Sequence, residues 1–153
     1  MVTGTRIPQT QRNTTQTVRA VQLDQQPAQT PNRNLAEFIA LQPGVFVAPL
    51  SRNDANWGSV GGLGPKYSVT LLDGLSIDSF IDGMALDPWA LQRVESYQGP
   101  AGVLYGNALS MDFAGNQFPL AGATNYVLRD VIDTPLTRFS AGGGSWGTFD
   151  SPT

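Results

Sequence analysis

The chain has 153 residues, 41% of them hydrophobic, which supplies one sizeable core and argues against two independent domains. Only 14% are charged, against a usual share of roughly a quarter, and the net charge of −3 leaves no basic footprint for nucleic acid, with Lys66 the one lysine and the arginines scattered from Arg6 to Arg138. There is no cysteine and no histidine, which excludes thiol nucleophiles, histidine bases, Cys/His zinc sites and Ser-His-Asp triads together.

Residues 1–17 are polar, rich in Thr and Gln and without apolar periodicity, and read as a flexible lead-in. Alternation over 17–23 predicts a half-buried strand, which Asp24 and the Gln/Pro-rich run to Pro31 end. Asn34 is placed to cap a short helix with Leu35, Phe38, Ile39 and Leu41 at helical spacing. Pro43-Gly44 stops that helix before a strand at 45–48. The polar stretch 49–59, with Asn53, Asp54, Asn56 and Gly58, is expected to be a mobile surface loop that Gly61, Gly62 and Gly64 extend.

Residues 67–72 form the clearest strand pattern of the chain, and Asp73-Gly74 predicts a tight turn into a short partner strand at 75–77. A second loop, 78–86, precedes Asp87-Pro88-Trp89, where an Asp cap and a Pro at the first position open one helical turn. A strand is expected at 93–97. Gly99-Pro100 breaks it, and 101–105 suit a short helix that Gly106 ends. Residues 107–120 mix Gly, Asn and Pro with Met111, Phe113 and Phe118 and predict an irregular loop. A strand follows at 123–128. The alternation of small or polar with apolar residues over 138–147 suits a strand of a β-barrel. No run approaches the roughly 20 apolar residues of a spanning helix. The N-terminus lacks a signal-peptide pattern, so an exported form would have lost its leader.

Several phrases stand in a telling order: Val2-Thr3-Gly4-Thr5-Arg6, Leu41-Gln42-Pro43-Gly44-Val45, Leu71-Leu72-Asp73-Gly74-Leu75 and Asp87-Pro88-Trp89. Gln92-Arg93-Val94-Glu95 and Gly99-Pro100-Ala101-Gly102-Val103-Leu104-Tyr105-Gly106 complete the set. Together they resemble the plug of TonB-dependent outer-membrane receptors, whose signature reads approximately ERIEVLRGPASVLYG before a GGVINIVTK-like strand; residues 121–129 occupy that strand's place. The resemblance implies an α+β domain with a mixed four-stranded sheet, short helices and long loops, lodged in an outer-membrane barrel of about 22 strands. It divides the chain into a lead-in at 1–17, the plug at 18–133 and the first barrel strand at 134–153.

By the same resemblance the function is that of a gate and ligand-sensing stopper for uptake of a scarce nutrient such as an iron-siderophore. The implied partners are the chain's own C-terminal β-barrel, TonB and a small-molecule metal chelate, with no cofactor, no resident metal and no nucleic acid. No TonB box is evident before Val2, so coupling to TonB is not assigned to residues here. Loops 49–57, 63–66 and 79–84 would face the external ligand, which makes Arg52, Trp57, Gly64, Phe80 and Ile81 the candidate contacts. Solvated loops with single apolar anchors are the plainer account of the same residues.

The chain departs from the family pattern at Gly61 and Gln98, where arginines that pair with barrel glutamates are usual. A plug lacking that cluster would be held by other contacts. The segment 107–120 is also longer than the usual link.

Two other function classes fit these residues less well. An enzyme would need Asp73, Asp78, Asp82 and Asp87 as acid/base or calcium ligands, yet their spacing matches no calcium loop, and a turn explains Asp73 while a cap explains Asp87. Gly61-Gly62-Leu63-Gly64-Pro65-Lys66 lacks the Lys-Ser/Thr ending and helix of a phosphate loop, and Asn13-Thr14-Thr15 fits a glycosylation acceptor of little meaning for a bacterial protein. A free-standing soluble periplasmic binding module with a plug-like fold is the alternative. Residues 138–147 argue against it, because an unpaired aromatic-bearing strand edge is costly in water. The chain stops at Asp150-Ser151-Pro152-Thr153 without the many alternating segments of a barrel and is therefore expected to be a piece of a longer protein.

Overall fold

A computed structural model describes residues 10, 17–23, 37–40, 42–51, 55–63, 67–77, 86, 88–99, 120–130, 142–147 and 149–150. Four strands make the body of the fold: β1 (Thr17–Gln22), β4 (Ser68–Leu72), β6 (Leu91–Gln98) and β7 (Gly122–Leu128). They are the strands that alternation predicts, and β5 (Leu75–Ser76) adds a two-residue fifth at one edge. The order is β1-β6-β7-β4-β5. β6 runs antiparallel to β1 and to β7, while β4 and β7 are parallel, so the sheet is mixed as expected.

Register decides which side chains share a face. Val18 opposes Tyr97, which opposes Ala123, which opposes Val69, and these four pack with Leu71 on one side of the sheet. A bulge between Leu91 and Arg93 lets Leu91 join Val94 on the other side. There Leu91, Val94 and Tyr126 gather Leu23, Leu72, Leu86 and Leu128, together with Phe38 and Ile39 of the short helix α1 (Glu37–Ala40). Each fully buried Val, Leu or aromatic side chain contributes roughly 1.5–3 kcal/mol, and β6, buried on both faces, is the strand that collects most of it.

The stretch 49–59 departs from expectation. Its second half is β3 (Ala55–Val60), which pairs antiparallel with β2 (Val45–Ser51) in a hairpin of its own. Composition hid it, since Asn56, Gly58 and Ser59 carry no apolar alternation and the strand depends on its partner's ladder. Pro49 stands beside the register shift between Pro49 and Ser51, the kind of irregularity at which a strand tolerates a residue without an N–H. The predicted barrel strand at 138–147 is likewise shorter where described. Gly142–Gly143 form β8, Ser145–Gly147 turn in a 3-10 conformation, and β8 pairs with β9 (Phe149–Asp150). Trp146, at φ 67, ends the extended run there. Asp87, the helix at 101–105, most of the loops at 78–86 and 107–120, and residues 1–9 lie outside the described residues, while Pro88–Ala90 form a 3-10 turn where one helical turn is expected after Asp87.

One contact sets the closeness of β6 and β7. Gly122 has φ 142, and a Cβ built on it would stand 1.9 Å from the carbonyl oxygen of Tyr97, which is backbone and cannot rotate away. The Gly122→Ala variant is expected to lose about 3 kcal/mol of stability, read as a lower urea midpoint. An unchanged midpoint would contradict the close approach.

Candidate functional site

Three polar arrangements tie the sheet to the loops that leave it. The first is the turn between β4 and β5. Asp73 (φ 48) and Gly74 (φ 83) are both left-handed, as a type I′ hairpin turn requires. The turn is stitched to the neighbouring strand: Gly74 N–H donates to Asn125 Oδ1 at 2.9 Å, Asp73 N–H to Tyr126 O at 2.9 Å, and Leu128 N–H to Asp73 Oδ1 at 3.1 Å. Asp73 is therefore committed to backbone, which accounts for it without chemistry on a substrate.

The second is a row on β6. Arg93, Glu95 and Tyr97, spaced two apart, share one strand face. Glu95 is fully buried; Arg93 Nε donates to its Oε1 at 2.8 Å, and the Tyr97 hydroxyl donates to its Oε2. Arg93 Nη1 also reaches Gln92 Oε1 at 2.6 Å. Both carboxylate oxygens are thus occupied from within the sheet, so Glu95 acts as an internal tie. The i, i+2, i+4 spacing was visible in the sequence, but charged residues on a strand are ordinarily read as its solvent face. On the opposite face, burial pushes the Tyr126 phenol above its ordinary value of 10.0 and keeps it neutral.

The third is the turn at 42–44, where α1 passes into β2. Gln42 N–H donates to Ile39 O, and Val45 N–H to Gln42 O. Gly44, at φ 79, takes the left-handed position that stops the helix. Gly61 N–H donates to Gly44 O at 2.8 Å, and Gln98 Nε2 donates to Pro43 O at 3.0 Å. Gly61 and Gln98, the two departures from the expected arginines, converge on successive carbonyls of one turn.

Of the predicted ligand contacts, Trp57 lies in β3, its backbone opposite Ala48. Arg52, Gly64, Phe80 and Ile81 lie outside the described residues.

The model of the TonB-dependent receptor plug domain matches residues 10–110. The chain belongs to the TonB-dependent receptor plug domain family. The match spans β1 to β6 and all three arrangements apart from their partners on β7. No curated protein matches the chain. Among solved structures it is similar to the alcaligin outer-membrane receptor FauA of Bordetella pertussis, at TM-score 0.60 and 24% identity over 96% of this chain and 24% of that one. It is similar also to the ferric yersiniabactin uptake receptor FyuA of Yersinia pestis, at TM-score 0.63 and 18% identity over 88% and 20%. FpvA of Pseudomonas aeruginosa, in complex with iron and a heterologous pyoverdine, matches at TM-score 0.62 and 23% identity over 96% and 18%. The plug accordingly spans about a fifth of the length of these receptors, and the likeness is one of fold.

Within the plug, removing Glu95 strands the half-buried Arg93 guanidinium and the Tyr97 hydroxyl. Glu95→Ala is expected to destabilise the domain by about 3–5 kcal/mol, with Glu95→Gln recovering part of the loss. Equal midpoints for wild type and Glu95→Ala in denaturant would show the cluster to be dispensable.

Proposed function

We propose that the chain is the gate and ligand-sensing stopper of a TonB-dependent outer-membrane transporter that takes up a scarce nutrient, with iron-siderophore complexes the leading class. The observation that carries this is the plug-family match over residues 10–110, supported by fold likeness to receptors described as taking up or binding iron chelates. In this reading residues 1–17 lead in, 18–133 fill the lumen and 134–153 begin the wall. A lumen of about 22 strands must be blocked for the membrane to stay tight. Among the described residues no helix is long and apolar enough to cross a membrane, which says nothing about crossing by strands.

The partners are then the chain's own C-terminal barrel, TonB, and the metal chelate. Arg52, Trp57, Gly64, Phe80 and Ile81 are the proposed contacts, with Trp57 on strand β3. The rigid turn at Asp73-Gly74 is a suitable base, because binding loops perform best when a fixed scaffold aims them. Catalysis has no part in this role.

Source cells lacking the gene are expected to lose uptake of radioactive iron supplied as the ferric chelates of their own iron-starved culture medium. Expression of the full-length protein restores it, and a Phe80→Ala, Ile81→Ala double variant restores it only at higher chelate concentration. Undiminished uptake in the deleted strain would overturn the iron-chelate class.

A further inference from the structure

The turn at Asp73-Gly74 carries a chemical liability. Glycine has no side chain to shield its nitrogen, which in an Asp-Gly dipeptide can attack the carboxyl carbon of the preceding side chain. The bond from Gly74 N to Asp73 Cγ forms, the amide proton leaves with the hydroxyl of the protonated carboxyl as water, and a five-membered succinimide closes. A second water then opens the ring at the Asp73 main-chain carbonyl, and the chain is left running through the side-chain carbonyl, an isoaspartyl link one methylene longer than before. Both residues of the turn are exposed, so water for the second step is at hand.

In the fold both reacting groups are tied to β7. Gly74 N–H donates to Asn125 Oδ1 at 2.9 Å, and Asp73 Oδ1 accepts from Leu128 N–H at 3.1 Å. The nitrogen must give up the first bond before it can attack, and the carboxyl must give up the second before it can swing onto that nitrogen. Asn125 is itself held in place, 2% exposed and in register with Leu71 of β4 on one side and Glu95 of β6 on the other. We propose that Asp73-Gly74 is a latent isoaspartate site and that the Asn125 side chain is the positioning residue that keeps it aspartyl. An added methylene would lengthen the turn on which the pairing of Leu71 with Ser76 and of Leu72 with Leu75 depends. The β4–β5 hairpin would lose that register, and with it the tie to β7. The site belongs to this turn and does not depend on what the chain transports.

Ageing the full-length protein at neutral pH tests it, with the isoaspartyl fraction at residue 73 read in a digest by peptide mass spectrometry with electron-transfer fragmentation. The native wild type is expected to accumulate the link at least about tenfold more slowly than the same protein held in urea, the ratio that one net hydrogen bond supplies. The near-isosteric Asn125→Leu and the smaller Asn125→Ser, which both remove Oδ1, are each expected to speed the native reaction by about tenfold. Slow exchange of the Asp73 amide, which donates to Tyr126 O, identifies a variant as folded around the turn. Equal rates in native and urea-denatured wild type would overturn the protection. A folded variant that ages no faster than wild type would overturn the part given to Asn125, as would loss of slow Asp73 exchange in both variants, which would make the residue a structural one.

Discussion

The five-stranded sheet of this plug hangs on the antiparallel seam between β6 and β7. β6 brings β1 to one side and β7 to the other, and β7 in turn carries β4 in parallel. The seam is tight because Gly122 leaves room for the Tyr97 carbonyl, and it is buried on both faces, by the Val18, Val69, Leu71, Ala123 side and by the Leu91, Val94, Tyr126 side. Parallel pairing of β4 with β7 joins segments about fifty residues apart, and such pairing gains nothing until the loop between them is closed. The intervening β6 supplies the surface on which that closure becomes favourable.

The polar interior follows from the same seam. Glu95 faces Asn125 across it in register, and Asn125 reaches on to the Asp73-Gly74 turn. One strand pair therefore sets both the Arg93-Glu95-Tyr97 tie and the base of the β4–β5 hairpin. A buried ion pair is weak evidence for stability but holds a defined geometry once formed. In a domain proposed to serve as a gate and stopper, defined geometry is the more useful property.

Elements whose signal is local were legible from the residues alone. Ser68-Val69-Thr70-Leu71-Leu72 alternates, Asp73-Gly74 is a turn dipeptide, and Phe38 and Ile39 lie three and four residues after Leu35, so strand, turn and helix were all foreseen. β3 was missed because Asn56, Gly58 and Ser59 acquire strand conformation from their partner. The run ending at Trp146 was overextended because small residues alternate with apolar ones in turns as well as in strands. Glu95 was invisible as a buried group, since burial depends on the register of three strands. Of the candidate ligand contacts, Trp57 alone falls on a described strand.

The central claim, that this domain serves inside an outer-membrane receptor, is tested most directly by an immunoblot of fractionated source cells with an antibody raised against the 16.3 kDa chain. A band several times that mass, confined to the outer membrane, is the predicted result. A band near 16.3 kDa in the soluble fraction would contradict it and favour a free-standing periplasmic binding module.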